Sequence, residues 1–88
     1  MYTVYVLRSA TTGRRYVGQT ENLDRRLHEH QSGLAGYTKG RGPWLLLHRE
    51  EYPTRREAMQ RERFLKSGVG REWLKRELDG RAGPPEAD

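Results

Sequence analysis

The alternation of apolar and polar residues along the chain predicts three strands and three helices. Residues 2–8 (YTVYVLR) and 14–19 (RRYVGQ) are rich in the β-branched and aromatic types that favour strands. Thr11-Thr12-Gly13 lies between them and predicts the turn of a β-hairpin. A third strand is predicted from Trp44 to Tyr52, a stretch that opens with WLLL.

The first helix is predicted to begin after Asn22, whose side chain is a favourable N-cap. Leu23 and Leu27 recur at helical spacing and form an apolar stripe, and Ser32-Gly33 predicts the end of the helix. Residues 34–43 (LAGYTKGRGP) are predicted to form a polar, glycine-rich loop.

The second helix is predicted from a capping box, in which Thr54 is the cap and Glu57 follows three residues later. This helix runs to about Ser67, and a last short helix follows and ends at Gly80. The apolar anchors of the last helix are Trp73, Leu74 and Leu78.

The element order β-β-α-β-α-α predicts an α+β domain, with a small three-stranded sheet, mixed or antiparallel, flanked by helices. The chain has 88 residues, so we expect one domain over residues 1–80. Residues 81–88 (RAGPPEAD) are expected to form a disordered tail.

The composition adds a basic surface to this picture. The formal net charge is +5, and arginine outnumbers lysine. Arginine suits bidentate contacts with phosphate, so a polyanionic partner is one interpretation. A solvated basic surface with no partner is the other, and charge alone does not choose between them.

Several classes of protein are excluded or disfavoured. The chain has no cysteine, which excludes disulfides and thiolate metal sites. No apolar run approaches the roughly 20 residues that a membrane helix needs, and the N-terminus MYTVYVLRSA lacks the basic start of a secretory signal. A cytoplasmic location without membrane association is therefore expected.

Polar residues interrupt the apolar stripes of the first two helices. Arg26 and His30 lie on the same predicted face as Leu23 and Leu27, and Glu62 lies in the stripe of the second helix. Local rules tend to fail at functional sites, so these residues are candidates for a common site if both helices pack on one sheet. The alternative is a plain ion pair between Arg26 and Glu62 at the edge of the core.

An ordered set of residues decides how these interruptions are interpreted. Its members are Thr3-Val4-Tyr5, Tyr16-Val17-Gly18, Asn22-Leu23, Arg26, His30 and Glu62. Over about residues 2–78 the chain resembles the GIY-YIG nuclease family. It is most similar to the small stand-alone bacterial single-domain members, which resemble the nuclease module of the excinuclease ABC system. The first motif reads TVY instead of GIY but keeps Tyr5, so the chemistry is little affected.

The resemblance implies a metal-dependent endonuclease that hydrolyses phosphodiester bonds of nucleic acid, with DNA expected. It implies that Glu62 binds Mg²⁺ (or Mn²⁺) and that Arg26 stabilises charge in the transition state. It favours Tyr16 as the general base and Tyr5 as its positioning partner, with the reverse assignment left open. A free phenol has a pKa of about 10, so a tyrosine base needs nearby positive charge.

The remaining candidates have weaker roles. His30 is expected to contact phosphate or to hold a neighbouring tyrosine, and a plain hydrogen-bonded histidine is the alternative. Asn22, Lys39, Arg41 and Lys66 are expected to contact nucleic acid. Their alternatives are a helix cap for Asn22, a mobile surface loop for Lys39 and Arg41, and an i,i+4 ion pair for Lys66.

Two other functions stay open at this point. One is a non-catalytic nucleic-acid-binding module, and the other is an accessory component of a DNA-repair assembly. The chain is too short to carry a separate targeting domain beside the nuclease domain. A repair-protein partner or a homodimer is therefore expected to supply specificity.

Overall fold

The computed structural model describes residues 1–32 and 42–82, with side chains described as far as residue 78. The strands are β1 (Tyr2–Ser9), β2 (Arg15–Thr20) and β3 (Trp44–Tyr52), and the helices are α1 (Leu23–Gln31), α2 (Arg55–Lys66) and α3 (Gly68–Ala82). This order confirms the predicted α+β architecture. Lys39, Arg41 and residues 83–88 of the predicted tail lie outside the described residues.

The sheet is antiparallel, with the strand order β2-β1-β3, so β2 is an edge strand. Gly13 has a φ of 77°, a conformation that favours glycine, and it turns the chain between β1 and β2. The register places Tyr5 opposite Gly18 and Leu7 opposite Tyr16. All four of these residues therefore share one face of the sheet.

The two faces of β1 are covered by different helices. Val4 and Val6 pack in one core cluster with Leu65 of α2 and Leu74 of α3. Tyr5 and Leu7 point to the opposite face and pack with Leu23 of α1 in a second cluster. Because α1 and α2 lie on opposite faces, their polar side chains meet only around an edge of the sheet.

The predicted helix starts are confirmed by their caps. The Asn22 side-chain oxygen accepts a hydrogen bond from Arg25 N–H at 3.0 Å, and the Thr54 hydroxyl accepts one from Glu57 N–H at 3.2 Å. The last helix is longer than predicted, since α3 has 15 residues and continues through Gly80 to Ala82. None of the described helices is long and apolar enough to cross a bilayer.

A close junction fixes α2, which carries Glu62, relative to α3. The Ser67 hydroxyl donates to Phe64 O at 2.6 Å and accepts from Gly70 N–H at 3.1 Å, so one side chain joins both helix ends. A Cβ added at Gly70 would overlap the carbonyl oxygen of Phe64 and lie 2.7 Å from Leu65 Cα. Only glycine allows the two backbones to approach this closely.

A carboxylate buried between β3 and α2 holds that helix on the sheet. Glu50 accepts hydrogen bonds from Arg61 Nε at 2.8 Å, from Tyr52 Oη at 2.5 Å and through a contact with His48 Nε2 at 2.7 Å. The Arg61 guanidinium also lies 4.5 Å from the centroid of the Trp73 ring. Burial alone would raise the pKa of Glu50, but the hydrogen bonds from its three partners outweigh it and lower the pKa to about 2.

We expect Gly70→Ala to lower the free energy of unfolding by about 3 kcal/mol, because the atoms it would meet belong to the backbone and cannot rotate away. Gly68→Ala is the matched control, since a Cβ at Gly68 meets nothing within 4 Å. The control is expected to be neutral or to stabilise by up to about 1 kcal/mol. Thermal and urea unfolding measure both changes, and equal stabilities of the two variants would contradict the close junction.

We expect Glu50 to make the fold sensitive to acid. Its folded pKa of about 2 lies below an unfolded value of about 4.3, so its contribution is present above pH 5 and is lost as pH falls towards 2. The loss amounts to roughly 3 kcal/mol. Urea unfolding across this range should show a shallower acid decline for Glu50→Gln than for the wild type. Glu51→Gln, at an exposed neighbouring carboxylate, should keep the wild-type decline.

Candidate active site

The phenol of Tyr5 reaches the edge of the sheet because the opposite residue on β2 has no side chain. A Cβ added at Gly18 would lie 2.6 Å from Tyr5 Oη, 2.8 Å from Tyr5 Cζ and 3.1 Å from Tyr16 Cε1. The Tyr5 ring thus fills the space above Gly18, and only 1% of the residue is exposed. The glycine of the second motif is explained by this contact.

His30 of α1 holds Tyr5 in place. Its Nε2 lies 2.9 Å from Tyr5 Oη in a buried hydrogen bond, and His30 is only 1% exposed. The Tyr16 ring lies beside this pair, with its centroid 5.0 Å from that of His30 and 6.3 Å from that of Tyr5. Of the contacts expected for His30, the one with a neighbouring tyrosine is therefore present.

Trp44 completes the aromatic cluster and was not predicted from the sequence. Its ring centroid lies 6.3 Å from that of Tyr16 and 6.4 Å from that of His30. Gln31 anchors it, because the Gln31 amide donates to Trp44 O at 2.7 Å and accepts from Trp44 N–H at 2.9 Å. The sequence gives no sign of this clasp between α1 and β3, since it depends on where the helix ends.

Arg26 faces the two tyrosines from α1. Its Nη1 donates to Glu29 Oε1 at 2.8 Å, and further hydrogen bonds join it to Tyr5 and Tyr16. The pKa of Arg26 is raised above its ordinary value, mainly by the bond to Glu29 and then by the bond to Tyr5. The alternative of an Arg26–Glu62 ion pair is wrong, because Arg26 pairs with Glu29 and Glu62 pairs elsewhere.

Glu62 approaches the same cluster from α2, on the other side of the sheet. Its Oε2 forms an ion pair with Lys66 Nζ at 2.7 Å, which is the i,i+4 pair considered for Lys66. The Glu62 charge acts on the Tyr5 phenol, and Lys66 lines the same groove as Tyr16. The predicted set therefore meets at the β2 edge of the sheet: Tyr5, Tyr16, Arg26, His30 and Glu62.

A family model described as the GIY-YIG catalytic domain matches residues 1–75. The chain belongs to the GIY-YIG family. This confirms the resemblance that the ordered motifs indicated.

The relatives of this GIY-YIG domain are small UPF0213 proteins. A UPF0213 protein of Natronomonas pharaonis is 46% identical over 65 residues, which cover 73% of this chain and 75% of the relative. One from Nitratidesulfovibrio vulgaris is 43% identical over 67 residues, covering 75% of this chain and 60% of the relative. The solution NMR structure of a UPF0213 protein from Bacillus halodurans has a TM-score of 0.55 and 39% identity, covering 98% of this chain and 92% of that one.

The two motif tyrosines of this GIY-YIG site have different surroundings. Burial, followed by a smaller effect of the Tyr16 phenol and the Glu62 charge, raises the pKa of Tyr5 to about 12 against the opposing effect of Arg26. Burial also lowers the pKa of His30, and the Arg26 charge lowers it further. Tyr5 is thus protonated and His30 neutral at pH 7. Because Arg26 donates to the Tyr5 oxygen, the phenol proton is available for His30 Nε2.

The carboxylate of the GIY-YIG site suits a hard divalent cation. Within residues 1–32 and 42–78 no cluster of three or more histidine, aspartate or glutamate side chains could hold a metal. Mg²⁺ needs no such cluster, since it keeps several waters and takes one or two carboxylates together with substrate phosphates. Glu62, with 21% of its side chain exposed, fits this requirement.

Asn22 lies next to the GIY-YIG cluster while also capping α1. It shares a polar groove with Arg26 and Glu29, so its capping role does not remove it from the site. Lys39 and Arg41 belong to the residues that the structure does not describe, and their expected contacts with nucleic acid stay predictions.

We expect Gly18→Ala to disturb the tyrosine cluster. The new Cβ meets the buried Tyr5 ring, so the free energy of unfolding should fall by about 1–3 kcal/mol. Displacement of Tyr5 should open the surroundings of His30 and move its pKa back towards about 6.5. Chemical unfolding and an NMR titration of the histidines measure these effects. Gly68→Ala serves as the control, and an unchanged His30 titration in Gly18→Ala would refute this packing.

Proposed function

We propose that the protein is a divalent-metal-dependent endonuclease that hydrolyses phosphodiester bonds of DNA. The observation that supports it most is the meeting of groups from both faces of the sheet at the β2 edge. Arg26 has 35% of its side chain exposed and Glu62 has 21%, so both are open to a ligand. Tyr5 and His30 are each 1% exposed and lie behind them. Accessible groups are thus backed by buried ones, which favours a preorganised site.

Arg26 is the residue that would bind the scissile phosphate. Its guanidinium already donates to an anionic oxygen, that of Glu29, at 2.8 Å. A phosphate can take the place of this carboxylate, because the planar guanidinium matches both anions. Once bound, Arg26 would stabilise the charge that builds on the phosphoryl oxygens in the transition state.

Tyr16 is the better candidate for the general base. Tyr5 is disfavoured because its pKa is raised to about 12 and because its oxygen is shared between Arg26 and His30. Tyr16 is only partly buried and also receives a hydrogen bond from Arg26. Tyr5 then acts as a positioning residue, since it fixes Arg26 and lies against Tyr16.

Glu62 would hold the divalent metal. When bound, Mg²⁺ or Mn²⁺ polarises phosphate oxygens and helps to supply the attacking hydroxide. Binding a cation would compete with the ion pair between Glu62 and Lys66. Lys66 would then be released to contact a phosphate, as predicted for it from the sequence.

We expect wild-type protein to nick supercoiled plasmid when Mg²⁺ or Mn²⁺ is present. Glu62→Gln should abolish nicking, since it removes the metal-binding charge while keeping the shape of the side chain. Arg26→Ala should reduce the rate by about 100-fold or more, and Tyr16→Phe by about 100-fold to 10,000-fold. Glu72→Gln, at an exposed carboxylate on α3, is the matched control and should cleave like the wild type.

Cleavage by Glu62→Gln at the wild-type rate would reveal a contaminating nuclease and end the metal-ligand assignment. DNA binding without cleavage by the wild type would instead favour the non-catalytic binding module. A cytoplasmic location, a DNA-repair role, and a repair-protein partner or homodimer that supplies specificity stay predictions.

A further inference from the structure

A groove beside Tyr16 is not used by the proposed chemistry. It has a volume of about 750 Å³ and lies between the turn of the β1–β2 hairpin and the junction of α2 with α3. We call it the hairpin groove, and its charged lining residues are Arg14, Arg15, Lys66 and Arg71. Tyr16 forms part of its wall, so the groove adjoins the candidate active site.

The hairpin groove carries charge of one sign. Within the part of the chain that the structure describes, no carboxylate lines it, and Arg14, Arg15 and Arg71 form no ion pair. Arg15 also stands directly opposite Arg8 in the β1–β2 register. Like charges directly opposite on neighbouring strands are destabilising, so the fold retains this repulsion without an internal counter-charge.

The floor of the hairpin groove is apolar. Leu65 is 0% exposed and Leu74 is 1% exposed, and both line the groove below its cations. A cleft with walls of low dielectric and charges of one sign focuses the electrostatic field and concentrates anions. The groove therefore favours a polyanion over a neutral ligand.

The groove on the other side of the site is different. We call it the cap groove, because Asn22 lines it together with Arg25, Arg26 and Arg55. Each of these arginines is already paired with a carboxylate that lines the same groove: Arg25 and Arg26 with Glu29, and Arg55 with Glu21. An incoming phosphate must compete there with internal anions.

We propose that the hairpin groove binds the nucleic-acid backbone on one side of the scissile phosphate and provides most of the binding energy. This inference rests on the proposed function, because Tyr16 links the groove to the cleavage site. The three arginines without ion pairs, together with Lys66, contact phosphates, while the cap groove contributes less. The footprint on the substrate is therefore asymmetric about the point of cleavage.

Binding is measured without cleavage, by fluorescence anisotropy with a labelled DNA duplex in EDTA over a series of salt concentrations. We expect Arg14→Ala/Arg71→Ala to make the plot of log affinity against log salt shallower by about 2, since each phosphate contact contributes about 0.9. Affinity should fall by about tenfold or more at low salt. Arg49→Ala/Arg76→Ala removes two exposed arginines elsewhere and should keep the wild-type slope. Arg14→Lys/Arg71→Lys should restore most of the slope.

Two further arms test the asymmetry and the substrate. Arg25→Ala/Arg55→Ala should change the slope less than the hairpin-groove variant, and an equal or larger change would overturn the asymmetry. An unchanged slope in Arg14→Ala/Arg71→Ala, or an equal loss in Arg49→Ala/Arg76→Ala, would overturn the groove itself. An RNA duplex of the same sequence shows which backbone the groove prefers, by the larger groove-dependent change.

The outcomes for the groove and for the nuclease are separable. Groove-dependent binding by a protein that does not nick plasmid would support the groove and refute the proposed function. Nicking by a protein whose binding ignores Arg14 and Arg71 would refute the groove alone. All variants are checked by circular dichroism, and Arg14 and Arg71 are exposed, so their loss should leave the fold intact.

Discussion

The candidate site depends on the absence of a side chain at Gly18. Because no Cβ is present there, the Tyr5 ring extends from the central strand across the edge strand, and its oxygen lies 2.6 Å from where that Cβ would be. This carries a phenol from the core to the rim of the sheet. The other groups are arranged around it: His30 is hydrogen-bonded to it, Tyr16 lies beside it, and Glu62 acts on it through its charge.

The sheet itself explains why the site lies at an edge. Helix α1 covers the face that holds Tyr5 and Leu7, and α2 covers the face that holds Val4 and Val6. A side chain from one helix can approach one from the other only around β2. The placement of α2 is in turn fixed by the Glu50–Arg61 pair and by the close junction at Gly70. Packing far from the chemistry thus sets the position of the Glu62 carboxylate.

The sequence predicted most of the fold, because caps and periodicity are local. Asn22 and Thr54 mark helix starts correctly, and the hairpin is placed by strand-forming residues on both sides of a turn. The predicted end of α3 was wrong, since glycine only weakly disfavours a helix and Gly80 does not stop it. The spacing of the motifs also predicted which side chains form the site.

The choice of partners was not predictable from the sequence. Arg26 has carboxylates available both on its own helix and on α2, and only the arrangement of the two helices decides that it pairs with Glu29. His48, Glu50 and Tyr52 alternate along β3 and so share one face, which a period of two would indicate. That Arg61 joins them depends on how α2 docks, a long-range fact with no local sign.

The arrangement of helices on opposite faces has a thermodynamic consequence. Arg26 and Glu62 belong to layers that are separated by the sheet, and within the described residues no ion pair joins these two side chains. A ligand that contacts both at once would act as a brace across the rim and tie the layers together. By linkage, the brace would stabilise the native state in proportion to the logarithm of ligand concentration over its dissociation constant. Occupancy and mechanical integrity of this small domain are then coupled, so an empty rim is also its loosest seam.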